Sequence, residues 1–120
     1  MQDRVLGSVA AIFGGLAVIL GAMAAHALHD TLVAADTLES WKTAALYHLT
    51  HSIVALFLAQ QGFRKCGWTM LAGVLLFSGS IYVLCLVDGV SWLGPVTPLG
   101  GVIMIAAWFS LAVGYLRKAT

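Results

Sequence analysis

Charge is scarce in this chain. Lys and Arg together number 6 and Asp and Glu 5 in 120 residues, so 9% of the chain is charged and the formal net charge is +1. No basic run and no aromatic-plus-basic pattern occurs, which removes the electrostatic footprint that nucleic acid needs in a partner. Cysteine is almost as rare. Cys66 and Cys85 stand nineteen positions apart along the third apolar stretch. At a rise of ~1.5 Å per residue they would lie near opposite membrane faces, too far apart for a disulfide within one chain. Cys66 reads as an exposed thiol and Cys85 as a small core hydrophobe. Proline occurs twice, and no linker, low-complexity tract or internal repeat divides the chain. Also missing are a nucleophile–base pair, a phosphate-binding glycine loop and paired carboxylates. Nothing in the sequence points to an enzyme.

What the chain has is apolar surface. Hydrophobic residues make up 61% and the mean hydropathy is +0.97, far from the balance of a soluble domain. The excess sits in four long stretches, which predict helices over about 5–27, 37–60, 68–87 and 98–116 within one domain, 1–120. Each has roughly the ~20 residues that a bilayer requires. The fold class expected is therefore all-α: an antiparallel four-transmembrane-helix bundle with the lipid bilayer as its solvent. The first stretch carries Ala-x-Ala patterns after Arg4, as a signal peptide does, but its apolar run exceeds a signal core of ~7–15 residues. It reads as a retained helix.

Charge placement sets the orientation. Arg4, Arg64, Lys65, Arg117 and Lys118 fall on one side and Lys42 alone on the other, with Asp30, Asp36, Glu39 and Asp88. The positive-inside rule then puts both termini in the cytoplasm, in the inner (cell) membrane of a bacterium. Asp36-Thr37-Leu38-Glu39 reads as a capping box opening segment two, with Trp41 at interface depth. Residues 61–67 read as a turn, and 29–42 as a loop. Thr97-Pro98 supplies an N-cap and the residue favoured at N1 for segment four.

Small residues recur with helical spacing. Gly7, Ala10, Gly14, Ala17, Gly21 and Ala24 form a stripe on segment one, and Gly100-Gly101 open segment four. Such surfaces let membrane helices approach closely, where van der Waals packing replaces the hydrophobic effect. They suit packing inside a protomer or between protomers, so a homo-oligomer is compatible with them.

The polar interior centres on segment two. Ala44, His48, His51, Ala55 and Ala59 share one helix face, placing two imidazoles among small residues beside Tyr47. His26 and His29 form a second H-x-x-H pair, and Ser78-Gly79-Ser80 lies at mid-depth in segment three. Ionisable groups at membrane depth face protein or water, not lipid. The preferred reading is that His48 and His51 hydrogen-bond across the bundle to His26, Tyr, Ser or backbone groups, while the two serines bond one turn back. Two alternatives stand beside it. One is a polar passage through Ser78, Ser80 and His48, as in a small transporter or channel. The other is a metal or haem site with His26, His48 and His51 as candidate ligands. Depth and the lack of an intramembrane carboxylate count against the latter, and no cofactor is expected.

Several blocks together resemble a known family. They are Gly21-Ala-Met-Ala-Ala-His26-Ala-Leu28, Thr43-Ala-Ala-Leu-Tyr47-His48, His51, Phe77-Ser-Gly-Ser-Ile-Tyr82 and Thr97-Pro-Leu-Gly-Gly101. In order and spacing they resemble the small four-helix inner-membrane proteins called domain of unknown function 423, related to eukaryotic transmembrane protein 256. The likeness spans nearly the whole chain, with Ala24 where the family has glycine. By that resemblance His26, Tyr47, His48, Ser78, Ser80, Pro98 and Gly100 occupy motif positions. The family brings no activity, so they come without roles.

Overall fold

A computed structural model describes residues 2–118. It is all-α. The elements are α1 (Arg4–Ala25), a short α2 (His29–Ala34), α3 (Leu38–Gln61), α4 (Arg64–Leu86) and α5 (Val96–Lys118), with a 3₁₀ turn at Ser91–Leu93. The molecule is elongated, 54 × 26 × 19 Å. In space the long helices follow chain order: α1 packs on α3, α3 on α4 and α4 on α5, while α1 meets α4 only lightly. Among the described residues, three apolar helical stretches are long enough to cross a membrane, namely Arg4–Ala25, Arg64–Leu86 and the Ser91–Lys118 stretch that holds α5. α3 falls outside that class because Glu39, Lys42, His48, His51 and Ser52 dilute its apolar residues. It packs between α1 and α4, and of its polar residues His48, His51 and Ser52 face protein.

Capping differs from the sequence expectation. Asp36 has a left-handed backbone (φ 57°) and ends α2. The Thr37 N–H donates to Leu32 O at 2.9 Å and the Asp36 N–H to Val33 O at 3.1 Å, the double closure of a Schellman motif. Asp36 is thus committed to stopping α2, and Thr37 becomes the N-cap of α3 without a side-chain cap bond. No capping box forms. Residues 29–34, expected as loop, are helical because Leu32 is fully buried with Ala24 and Trp41. Trp41, expected at the interface, is itself fully buried. An indole placed by the aromatic-belt rule can as well face protein when a neighbour offers an acceptor.

Two further boundaries move. The turn between α3 and α4 is only Gly62 and Phe63, because Gly62 takes the left-handed conformation (φ 81°) that reverses the chain. α5 begins at Val96, which places Thr97 inside the helix and Pro98 in its first turn, where no N–H is needed. Cys66 is half-buried against the apolar core, not exposed, and both cysteines are free thiols.

The N-terminal end is fastened by a residue the sequence reading passed over. Asp3 caps α1, accepting from the Leu6 N–H at 3.0 Å, and its backbone N–H donates to Ala59 O at 2.9 Å. The Leu6 N–H bond to the carboxylate, and then the Arg64 guanidinium 3.2 Å away, hold the Asp3 carboxyl below the usual aspartate range.

The small-residue stripe of α1 is used within the chain. Ala10, Ala17 and Ala24 are buried, and Gly7 and Gly14 lie against Ala59 and Ser52 of α3. Gly21 has open space beside it. The closest helix approach is elsewhere, where Gly73 of α4 crosses Gly100 of α5. Gly101 is less tight and faces the Phe77 ring.

Candidate functional site

Among the described residues, the buried polar side chains are His48, His51, Ser52, Ser78 and Ser80. They lie between two apolar clusters. One gathers Leu6, Leu58, Met70 and Leu111 near the Gly62 turn, and the other gathers Ala24, Leu32 and Trp41 at the far end. The α3 face read from helical spacing is the inward one: Ala44, His48, His51, Ala55 and Ala59 are all buried.

Donor and acceptor chemistry fixes the His51 ring. His51 Nε2 lies 3.0 Å from Trp108 Nε1 of α5. An indole nitrogen only donates, so Nε2 must accept. Nδ1 then carries the hydrogen and donates to Tyr47 O at 2.9 Å, one turn back. The Thr50 hydroxyl, 3.2 Å from the same Nδ1, donates its own hydrogen to Leu46 O at 2.9 Å, which leaves it an acceptor too. At His48, Nδ1 shares a hydrogen bond of 3.0 Å with the Tyr82 hydroxyl of α4, and the ring meets the Phe13 ring of α1 edge-on, centroids 6.0 Å apart. His51 is thus a neutral ring in the Nδ1–H tautomer with both nitrogens engaged.

The remaining polar groups join the other helix pairs. Trp41 Nε1 donates to Leu20 O at 2.8 Å, fastening α3 to α1, and its ring lies 4.7 Å from that of Tyr82. Ser78 Oγ donates across to Ala44 O of α3 at 2.8 Å, rather than one turn back as expected. Ser80 does bond back, to Phe77 O at 2.9 Å, so the Thr97 hydroxyl of α5 donates to it at 2.5 Å. Ser52 Oγ donates to His48 O at 2.6 Å, within α3. Interhelical hydrogen bonds in membranes average roughly 0.6 kcal/mol each. They therefore fix register and rotation more than they add stability.

Two of the sequence candidates sit apart. His26 is the C-cap of α1 and is exposed, outside the buried cluster, so His48 draws its partners from Phe13 and Tyr82 instead. Tyr47 is 42% exposed and contributes its backbone carbonyl and a ring stacked 5.8 Å from His51. His29 pairs at the surface with Asp30, at 3.3 Å. Among the described residues, no three His, Cys, Asp or Glu converge to hold a metal ion. The main residue that sequence reading missed is Trp108. Its signal was available: an indole in the middle of an apolar stretch, away from either interface, needs an acceptor for its N–H.

Comparison with known proteins finds relatives that are named as membrane proteins. The model of the family described as "Protein of unknown function (DUF423)" matches residues 20–101. A UPF0382 membrane protein of Bacillus subtilis is 39% identical over 94% of this chain and 94% of its own length. A UPF0382 membrane protein of Schizosaccharomyces pombe is also 39% identical, over 88% of this chain and 97% of its own. One of Haemophilus influenzae is 35% identical over 98% of each. No solved structure matches the chain.

Proposed function

This chain belongs to the DUF423 family of membrane proteins of unknown function, and on that premise we propose that it is a non-enzymatic structural or assembly protein. It crosses the bacterial inner membrane four times, with both termini in the cytoplasm. Bacterial relatives named as membrane proteins support the location. Arg64 pairs with Asp3, and Lys118 donates to Gln61 O at 3.3 Å, so these cations share one end of the bundle, with Lys42 at the other. That asymmetry supports cytoplasmic termini. α3 is the fourth span because it lies between α1 and α4 along its length. Its 24 residues extend about 36 Å at ~1.5 Å per residue, enough for the hydrocarbon core.

The observation that carries the structural reading is the double engagement of His51, between Trp108 of α5 and the Tyr47 carbonyl. A metal or haem site needs a free imidazole nitrogen, and a polar passage needs unspent donors and acceptors along a continuous path. Here Ser80 turns to Thr97, away from the Ser78–Ala44 contact, so the serines serve different helix pairs. Metal content and the visible spectrum of the purified protein test the reading. The expected result is no stoichiometric metal and no chromophore. A stoichiometric metal or absorbing group that is lost in His51→Ala would overturn it.

A further inference from the structure

Beside His48 there is a cleft of about 170 Å³ between α1, α3 and α4. It exists because α1 meets α4 only lightly, so the bundle is open on that flank. Phe13 and Leu20 wall one side and Val74 and Gly79 the other, with the His48–Tyr82 pair at its floor. Leu16 and Leu75 line it too and are 46% and 62% exposed, which places them at its mouth. Both lie midway along their helices, α1 and α4, each apolar and long enough to cross a membrane. The mouth therefore opens sideways at the middle of the hydrocarbon layer.

We propose that this cleft receives the methyl-terminal end of a fatty acyl chain from the surrounding bilayer. Its polar wall groups are already committed, His48 to Tyr82 at 3.0 Å and Ser78 to Ala44 O at 2.8 Å, so they offer a hydrocarbon guest no competing water site. An apolar cavity of ~150 Å³ stays dry and admits one benzene-sized molecule, which makes this one large enough for roughly six chain carbons. Left empty, its lining would forgo dispersion contacts on one side. Acyl chain ends meet near the centre of a ~30 Å hydrocarbon core, at the depth of the opening. Gly79 keeps the wall low, since a Cβ there would touch nothing nearer than Leu75 Cδ1 at 3.9 Å. The inference needs only α1 and α4 as spans and stands independently of the structural role proposed above.

Photolabelling tests it. The protein is reconstituted in phosphatidylcholine carrying a diazirine either at the acyl terminus or next to the carbonyl, and adducts are mapped by mass spectrometry. With the terminal probe, adducts should concentrate on the 13–20 and 74–79 segments, several-fold above those on the outward Phe109 of α5. With the carbonyl-side probe that preference should vanish. Gly79→Leu, whose Cβ would meet only Leu75 Cδ1 at 3.9 Å, should remove the enrichment while leaving Phe109 labelling unchanged. The probe-position comparison needs no variant, so a folding defect in Gly79→Leu leaves the test intact. Equal labelling of the cleft and Phe109 with the terminal probe would mean annular lipid only. No adduct in the cleft, with Phe109 labelled, would mean another occupant. Either result overturns the proposal.

Discussion

Gly100→Ala should separate α5 from α4. A Cβ at Gly100 would lie 2.8 Å from Gly73 O and 2.8 Å from the Leu76 carbonyl carbon, and nearer still to the Phe77 backbone nitrogen. These are backbone atoms of a packed helix and cannot turn aside as a side-chain end can. One methyl must therefore move a helix. Association in lipid depends on close van der Waals contact, so displacement along this crossing costs more than the methyl itself. Overpacking of this kind destabilises by about 1–3 kcal/mol. Neighbouring glycines provide the controls. At Gly101 the nearest contact is the Phe77 ring at 3.7 Å, and at Gly21 there is none within 4 Å. Thermal denaturation in detergent should show a large fall in midpoint for Gly100→Ala and little change for Gly101→Ala or Gly21→Ala. Equal midpoints for all three would show that α4 and α5 do not cross at Gly73 and Gly100.

Trp41→Ala should open the other end of the bundle. The indole is fully buried, donates to Leu20 O at 2.8 Å and lies 4.7 Å from the Tyr82 ring. Truncation removes contacts to α1 and α4 at once and leaves a cavity under Leu32 of α2. Large-to-small changes of Trp cost about 3–5 kcal/mol in close-packed cores. Trp41→Phe keeps most of the volume and loses the hydrogen bond, worth roughly 0.6 kcal/mol. Unfolding in increasing dodecyl sulfate should rank wild type and Trp41→Phe close together and Trp41→Ala far below. If Trp41→Ala matched Trp41→Phe, the indole would not be filling the core as described.

The sequence made the four long helices and the inward face of α3 legible for one physical reason. Apolar length and helical spacing are local properties, and both survive without knowledge of neighbours. The small residues on α1 were legible in the same way, although the tightest contact proved to be Gly73 against Gly100. What depends on a partner was not legible. Trp41 and Trp108 look alike in composition whether they face lipid or protein, and only the Leu20 carbonyl and His51 Nε2 decide between them. Asp36 could serve either helix it borders, and the Schellman closure of α2 claimed it. Ser78 has a carbonyl one turn back and another on α3, and the approach of α3 selects the second. His26 belongs to a block resembling the family motif, yet its place at the end of α1 keeps it out of the buried cluster.

His51, a neutral ring with both nitrogens engaged, fixes the register of α3 against α5, and His48 sets α3 against α4 through Tyr82. Nitrogen NMR of the reconstituted protein labelled at histidine ring positions reads tautomer and ligation directly. The expected spectrum at neutral pH shows both rings neutral, with His51 protonated at Nδ1. The assignments come from His51→Gln and His48→Gln, and Trp108→Phe should shift the His51 Nε2 signal alone. An imidazolium or metal-bound signal at either ring, or a His51 spectrum indifferent to Trp108→Phe, would contradict the account.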